Sequence, residues 1–434
     1  MAELSAGQRV RTDTGNEAEV ISLIGEGGQG EVYKVRFRNR EYALKWYYPR
    51  YLSKLRSADE FYNNLKDNIL MGSPSEDFLW PLDIAQRRNG SFGYIMDLRP
   101  GNFKDFKLFL LAKAKFASLE AKINAALNII RGFRALHTRG FSYQDLNDGN
   151  FFIDPQNGEV LICDNDNVAP FGKNLGVGGK MRYMAPEIVT GRKLPDAETD
   201  KFSLAVVLFY LFFSNHPLEG ARTMCPCMTD GLEKRYYGRE PVFILDPNDE
   251  SNRPVRGIHK NVIDLWQVFP EFVRDAFVKA FGKEAMTGED ITNRVIEKEW
   301  QGIFTRLRDI TARCDCGGET FFDLDRDESV CIACDRTLPR PPVLKIQNHR
   351  IALRPNKRIC KSQVIPDNDE FNALVGQVVR SREDPNLWGL RNEGGDPWDA
   401  HSASGDRRTI GRGCVVPARM GFRINFGSSA GEIL

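Results

Sequence analysis

Asp145 and Asn150 stand five residues apart in "YQDLNDGN" (143–150), and Asp164 follows Asn150 by fourteen residues in "ICDNDN". A carboxylate in the first position can accept the hydrogen bond and the proton of an attacking hydroxyl. An asparagine oxygen ligates Mg²⁺ without adding charge, and a second carboxylate supplies a charged ligand. Upstream, Gly25, Gly27 and Gly30 fall in a G-x-G-x-x-G-x-V order within "GEGGQGEV", and Lys45 follows Gly30 by fifteen residues in "EYALKWYY". Glycines let a hairpin backbone approach phosphates and present N–H donors to them. A lysine on the next strand can then hold the phosphates. "MAPE", with Ala185, Pro186 and Glu187, completes the series. These types, in this order, point to phosphoryl transfer from a nucleotide.

The glycine triplet alone is weak, because dinucleotide-binding folds also carry it. Those folds require a helix directly after the glycines. Here a strand-type segment follows, so the dinucleotide alternative loses. Residues 18–48 alternate as strands around the glycine turn, and a polar helical segment follows at 57–71. Strand-like pieces surround "FLWPLDI" and "FGYIMDL", and the pattern is helical from 103 to 138. "GNFFID" and "EVLICD" bracket a turn at Pro155–Gly158. An apolar helix at 201–213 reads as buried on most sides, and more helix is expected at 259–282 and 290–309. A small β-rich part before a larger helical part makes an α+β, two-lobed architecture.

Residues 1–310 resemble the eukaryotic-type (Hanks-type) protein kinases on these motifs. The resemblance implies an N-lobe over 1–97, a C-lobe over 98–310, and ATP in the cleft between them. It implies nucleotide contacts from Gly25, Gly27, Gly28, Gly30, Val32, Ala43, Lys45, Asp97 and Leu98, with Mg²⁺ on Asn150 and Asp164. Asp145 would orient the acceptor hydroxyl. Asp200 matches the aspartate that braces the catalytic loop, and Arg294 matches the late arginine that pairs with Glu187. For the carboxylate that pairs with Lys45, Glu60 and Asp67 are seven residues apart and share a helix face; Glu60 is preferred for its reach.

The departures carry information. Tyr143 and Gln144 replace the usual His-Arg before the aspartate, and that arginine reads a loop phosphate in related kinases. The loop from Asn165 to Met184 contains no Ser or Thr. The two losses match, and activity independent of Ser/Thr phosphorylation in this loop is expected. Asn147 stands where Ser/Thr kinases carry a lysine, while Lys180 stands where they carry a threonine. Lys180 is expected to supply the missing charge from the opposite wall; the bland alternative is a solvated loop residue. "DND" replaces Asp-Phe-Gly, so Asn165 and Asp166 either restrict movement of this segment or add a metal contact. Because Lys45, Asp145, Asn150 and Asp164 all survive, a working enzyme is preferred over a nucleotide-binding pseudokinase scaffold. A small-molecule kinase is a third reading, which the Ala-Pro-Glu segment disfavours.

Four of nine cysteines, Cys314, Cys316, Cys331 and Cys334, lie within 21 residues. C-x-C-G-G followed by C-x-x-C fits a structural zinc ribbon over 311–340. Beyond "LPRPPV", short β-type runs alternate with turns, predicting an all-β sandwich over 341–434. "NLWGLRN" and "FRINFG" resemble forkhead-associated-type domains, but no Arg-x-x-Ser-x-x-His equivalent is present, so packing or partner docking is the plainer role. Kinase, zinc ribbon and sandwich in this order, with "FLWPLDI" and "CDNDNV", resemble the kinases of bacterial tellurite-resistance-type phosphorylation triads. That resemblance implies a von Willebrand A domain protein as substrate and an opposing metal-dependent protein phosphatase. At 434 residues two or three domains are expected. A net charge of +1 gives no global electrostatic reason for a nucleic-acid partner. No apolar run reaches the ~20 residues of a membrane span, no secretory leader is evident, and a reducing cytoplasm is expected.

Overall fold

Six strands built from the alternating segments form one antiparallel sheet: β1 (Arg9–Arg11), β2 (Glu17–Glu26), β3 (Gly30–Phe37), β4 (Arg40–Tyr47), β5 (Asp83–Arg88) and β6 (Ser91–Met96). Their order is β1-β2-β3-β4-β6-β5. The computed structural model describes residues 3–173, 175, 179–287, 293–384 and 387–434. Gly30 sits so close to β4 that a Cβ there would lie 2.1 Å from the Trp46 carbonyl oxygen. No side chain fits at that crossing. The helix Ala58–Met71 spans β4 and β5, capped by Ser57 Oγ accepting the Glu60 N–H at 3.1 Å. Its buried face carries Phe61, Asn64, Leu65 and Asn68.

The second lobe is helical around Ala197–Phe213. This helix is apolar on all sides, and from Phe202 to Phe213 every residue is buried, as such a composition requires. Helices Leu119–Thr138, Glu271–Ala280 and Glu297–Ile310 pack around it. The expected 103–138 helix is two, Phe106–Leu110 and Leu119–Thr138, because Ser118 caps the second by accepting the Ala121 N–H. The 259–282 segment also divides, at Pro270, into Lys260–Trp266 and Glu271–Ala280. The helix expected at 290–309 starts at Glu297, and residues 288–292 lie outside the described residues.

Two small hairpins follow, Thr311–Arg313 with Glu319–Phe321 and Glu328–Val330 with Thr337–Pro339. The remaining chain forms a six-stranded and a four-stranded sheet enclosing Leu344, Ile351, Val378, Leu390, Trp398 and Ile424. These parts are welded to the helical lobe. Phe371 joins the lobe's apolar core, and the ring of Phe321 of the first hairpin packs, tilted, with its centroid 5.2 Å from that of Phe269. Among the described residues no helix is long and apolar enough to cross a membrane.

Candidate active site

β4 delivers Lys45 into the interior, 5% exposed. Its ammonium donates to Gln29 Oε1 of the glycine hairpin at 2.6 Å, Asp164 Oδ1 at 3.0 Å and Asp166 Oδ2 at 3.0 Å. The Tyr47 and Tyr94 rings lie 5.5 and 6.0 Å from it. Burial disfavours the charged lysine, but Asp164 and Asp166 outweigh that penalty and hold its pKa well above the ordinary value.

Asn150 and Asp164 become neighbours through a short hairpin. Phe151–Ile153 pairs with Val160–Ile162 across the Pro155–Gly158 turn, and Cys163 N–H closes it by donating to Asn150 O at 2.8 Å. Asp164 follows in the left-handed region, φ +58°. Asn150 is buried; its Oδ1 accepts the Asn147 N–H at 2.7 Å. Asn147 Nδ2 in turn donates to Asp145 Oδ1 at 3.2 Å. Burial, aided by the Asp164 charge, pushes the Asp145 carboxyl up to about 6 against the opposing Asn147 and Lys180 interactions. Lys180 Nζ lies 2.9 Å from both Asn147 Oδ1 and Asp148 Oδ1. Its ammonium thus stands beside the position where Asn147 replaces a lysine.

Tyr143 is fully buried, packs its ring at a tilt against Phe133, and donates its hydroxyl to Cys163 O. Its N–H donates to Asp200 Oδ2 at 2.6 Å, and His137 Nε2 meets the same oxygen at 3.1 Å. Glu187 and Arg294 form a bidentate pair with both N–O distances at 2.8 Å, almost entirely buried. Tyr183, the single hydroxyl side chain of the 165–184 loop, is 5% exposed; Asn174 and residues 176–178 of that loop lie outside the described residues.

Of the expected nucleotide contacts, Gly27 and Gly28 are exposed at the hairpin tip and Val32 is half-buried. Ala43 is buried opposite Met96, and Asp97 and Leu98 follow β6 directly. The hard oxygen donors of Asn150 and Asp164 suit Mg²⁺, and the Asp164 side chain is 41% exposed and accessible to it.

Glu60 is not the partner of Lys45. It lies exposed in the first helical turn, where its N–H receives the Ser57 cap, and Asp67 is exposed as well. The carboxylates beside Lys45 are Asp164 and Asp166, the second fully buried and also bonded by the Tyr47 hydroxyl. The helix reaches this segment through neutral groups: Asn64 and Asn68 donate to Val168 O at 2.7 and 2.9 Å. Asn165 Nδ2 fastens the segment to Leu79 O and Ile162 O at 2.8 and 2.9 Å. Gln29 and Tyr47 escape a motif-based reading, and so does the pairing of Asp166 with Lys45. One signal was available: an acid two residues after Asp164, paired with a helix whose apolar positions Phe61 and Leu65 turn Glu60 and Asp67 outward.

The four cysteines sit in the turns of the two small hairpins, and their sulfurs all lie within 4.8 Å of one another. The Cys314–Cys334 and Cys316–Cys331 separations are 3.9 and 3.8 Å. Tetrahedral Zn²⁺ with Zn–S of ~2.3 Å places its sulfurs about 3.8 Å apart, so the site fits that ion. The Cys316 and Gly318 N–H groups point at the Cys314 and Cys316 sulfurs at 3.5 and 3.4 Å, which favours thiolates.

Residues 18–267 match the protein kinase domain. Beta-adrenergic receptor kinase 1 of Mesocricetus auratus is 29% identical over 218 residues, covering 48% of this chain and 30% of that protein. Serine/threonine-protein kinase sck2 of Schizosaccharomyces pombe is 30% identical over 208 residues, covering 44% and 30%. The chain thus spans 30% of the length of these curated relatives. The kinase domain of Mycobacterium tuberculosis PknI is 18% identical, with a TM-score of 0.45, covering 70% of this chain and 98% of that one. The matched stretch takes in the glycine hairpin, Lys45, the 143–150 loop and Asp164, and runs through more than half of the 434 residues; the chain belongs to the protein kinase family.

Proposed function

We infer that this chain transfers the γ-phosphoryl group of ATP to a serine or threonine hydroxyl of a protein partner. The observation that carries this reading is the convergence of Lys45, Asp164 and the Asp145–Asn150 loop at one cleft. Lys45 holds the α/β-phosphates against the glycine hairpin. Asn150 and Asp164 would hold Mg²⁺, which would supply charge neutralisation on the phosphates. Asp145 orients the attacking hydroxyl and accepts its proton. Lys180, seated on Asn147, adds positive charge where the transferred group passes. Rate then comes from positioning and charge, with no covalent intermediate.

The unit boundaries proposed are 1–310 for the kinase, 311–340 for a structural zinc ribbon and 341–434 for the sandwich. The triad resemblance supports a von Willebrand A domain protein as substrate, a metal-dependent phosphatase as opponent, and a cytoplasmic setting. The test is incubation of the purified chain and such a partner with labelled ATP and Mg²⁺. Label on the partner, reduced at least ~100-fold in Asp164→Ala, is the expected result. Nucleotide-dependent assembly without label would instead support a pseudokinase scaffold.

A further inference from the structure

The lysine that grips nucleotide in this fold requires a carboxylate to hold its flexible stem, since an ammonium on four methylenes has no fixed direction of its own. Lys45 has two carboxylates, and they are not equivalent. Asp164 is accessible, and its oxygens are the ones a bound metal needs. Asp166 has no exposed surface and takes the ammonium at 3.0 Å on the same oxygen that accepts the Tyr47 hydroxyl. With Asp164 engaged by a metal, Asp166 would be the carboxylate left to Lys45. The helix Ala58–Met71 offers no competitor. Its inward polar residues are Asn64 and Asn68, both committed to the Val168 carbonyl, and its acids face water.

We propose that Asp166 is the positioning residue for Lys45, replacing a helix carboxylate, so that the nucleotide-gripping lysine is anchored from the Asp164 segment rather than from the Ala58–Met71 helix of the small lobe. The proposal rests on the kinase reading above and deepens it. It also fixes a regulatory consequence. Swinging the Ala58–Met71 helix outward would not by itself break the Lys45 ion pair, so helix displacement is a poor switch in this chain. Asn165, held by Leu79 and Ile162 carbonyls, keeps Asp166 in place beneath the lysine.

Nucleotide affinity, measured by calorimetry with ADP and Mg²⁺ on the full chain, tests this. Asp166→Asn keeps size and should weaken binding about tenfold or more. Glu60→Gln and Asp67→Asn should leave binding within about twofold of the parent. Lys45→Met combined with Asp166→Asn should bind no more weakly than Lys45→Met alone, because both changes remove one interaction. Thermal melting of each variant separates this from a folding defect, and a purely structural role for Asp166 would show as additive losses in the double variant. Parent-like affinity in Asp166→Asn, additive losses in the double variant, or a large loss in Glu60→Gln would each overturn the proposal. No nucleotide binding by the parent would instead overturn the kinase reading itself.

Discussion

At Asp145 burial and the nearby Asp164 carboxylate raise the carboxyl to about 6 in the free protein. The acceptor role proposed for Asp145 requires the ionised form, so protonation would remove the proton acceptor. The kcat/KM for phosphoryl transfer should therefore fall as pH drops through about 6 and level off above it, since this parameter follows the free enzyme. A flat profile down to pH 5 would argue against Asp145 as the acceptor. Asp164 and Lys45 were readable in the sequence because a few local spacings fix them. The Lys45–Asp166 pair was not, because its members are 121 residues apart and meet only once two lobes fold together. A seven-residue spacing puts Glu60 and Asp67 on one face but does not say which face is buried. Phe61 and Leu65, with Asn64 and Asn68 beside them, decide that.

Three helices meet at His137. It sits at the end of Leu119–Thr138, between Asp200 of Ala197–Phe213 and Glu297 of Glu297–Ile310, with Nδ1 2.5 Å from Glu297 Oε1. Burial opposes its charge, yet hydrogen bonds to the two carboxylates prevail and hold its pKa up to about 9 against an ordinary 6.5. A pKa raised on folding contributes stability fully below pH 6.5 and loses it as pH rises through 9. The contribution is about 3 kcal/mol at its maximum. Melting temperature should decline across that window, and His137→Gln should show lower stability with a weaker decline. An identical pH slope in the variant would refute the assignment. Helix and strand order was largely legible from periodicity, and the apolar run at 201–213 announced its own burial. The breaks at Ser118 and Pro270 were less visible because apolar spacing continues on both sides of each cap.

Across the whole molecule, the small hairpins hold the junction between the helical lobe and the sandwich. With zinc bound by Cys314, Cys316, Cys331 and Cys334, metal analysis should give about one ion per chain. Stripping it with a strong chelator should lower the melting temperature and open residues 311–339 to protease. Unchanged melting after complete removal would show that the metal is not structural. The cysteine spacing made this site legible, whereas the docking of the sandwich was not, since it depends on single side chains such as Phe371 crossing between units.

Arg308 states what that docking means. It is 2% exposed, and its guanidinium donates to Phe371 O at 3.0 Å and Ser362 Oγ at 3.0 Å from beyond the hairpins, with Lys357 reaching back to Thr311 O at 2.9 Å. Dividing the chain after residue 310 would strand a buried cation against a bare apolar face. The kinase-family part is therefore no detachable cartridge: grafting it elsewhere means carrying the last hundred-odd residues along, and selection cannot trade that appendage without repainting the surface it covers.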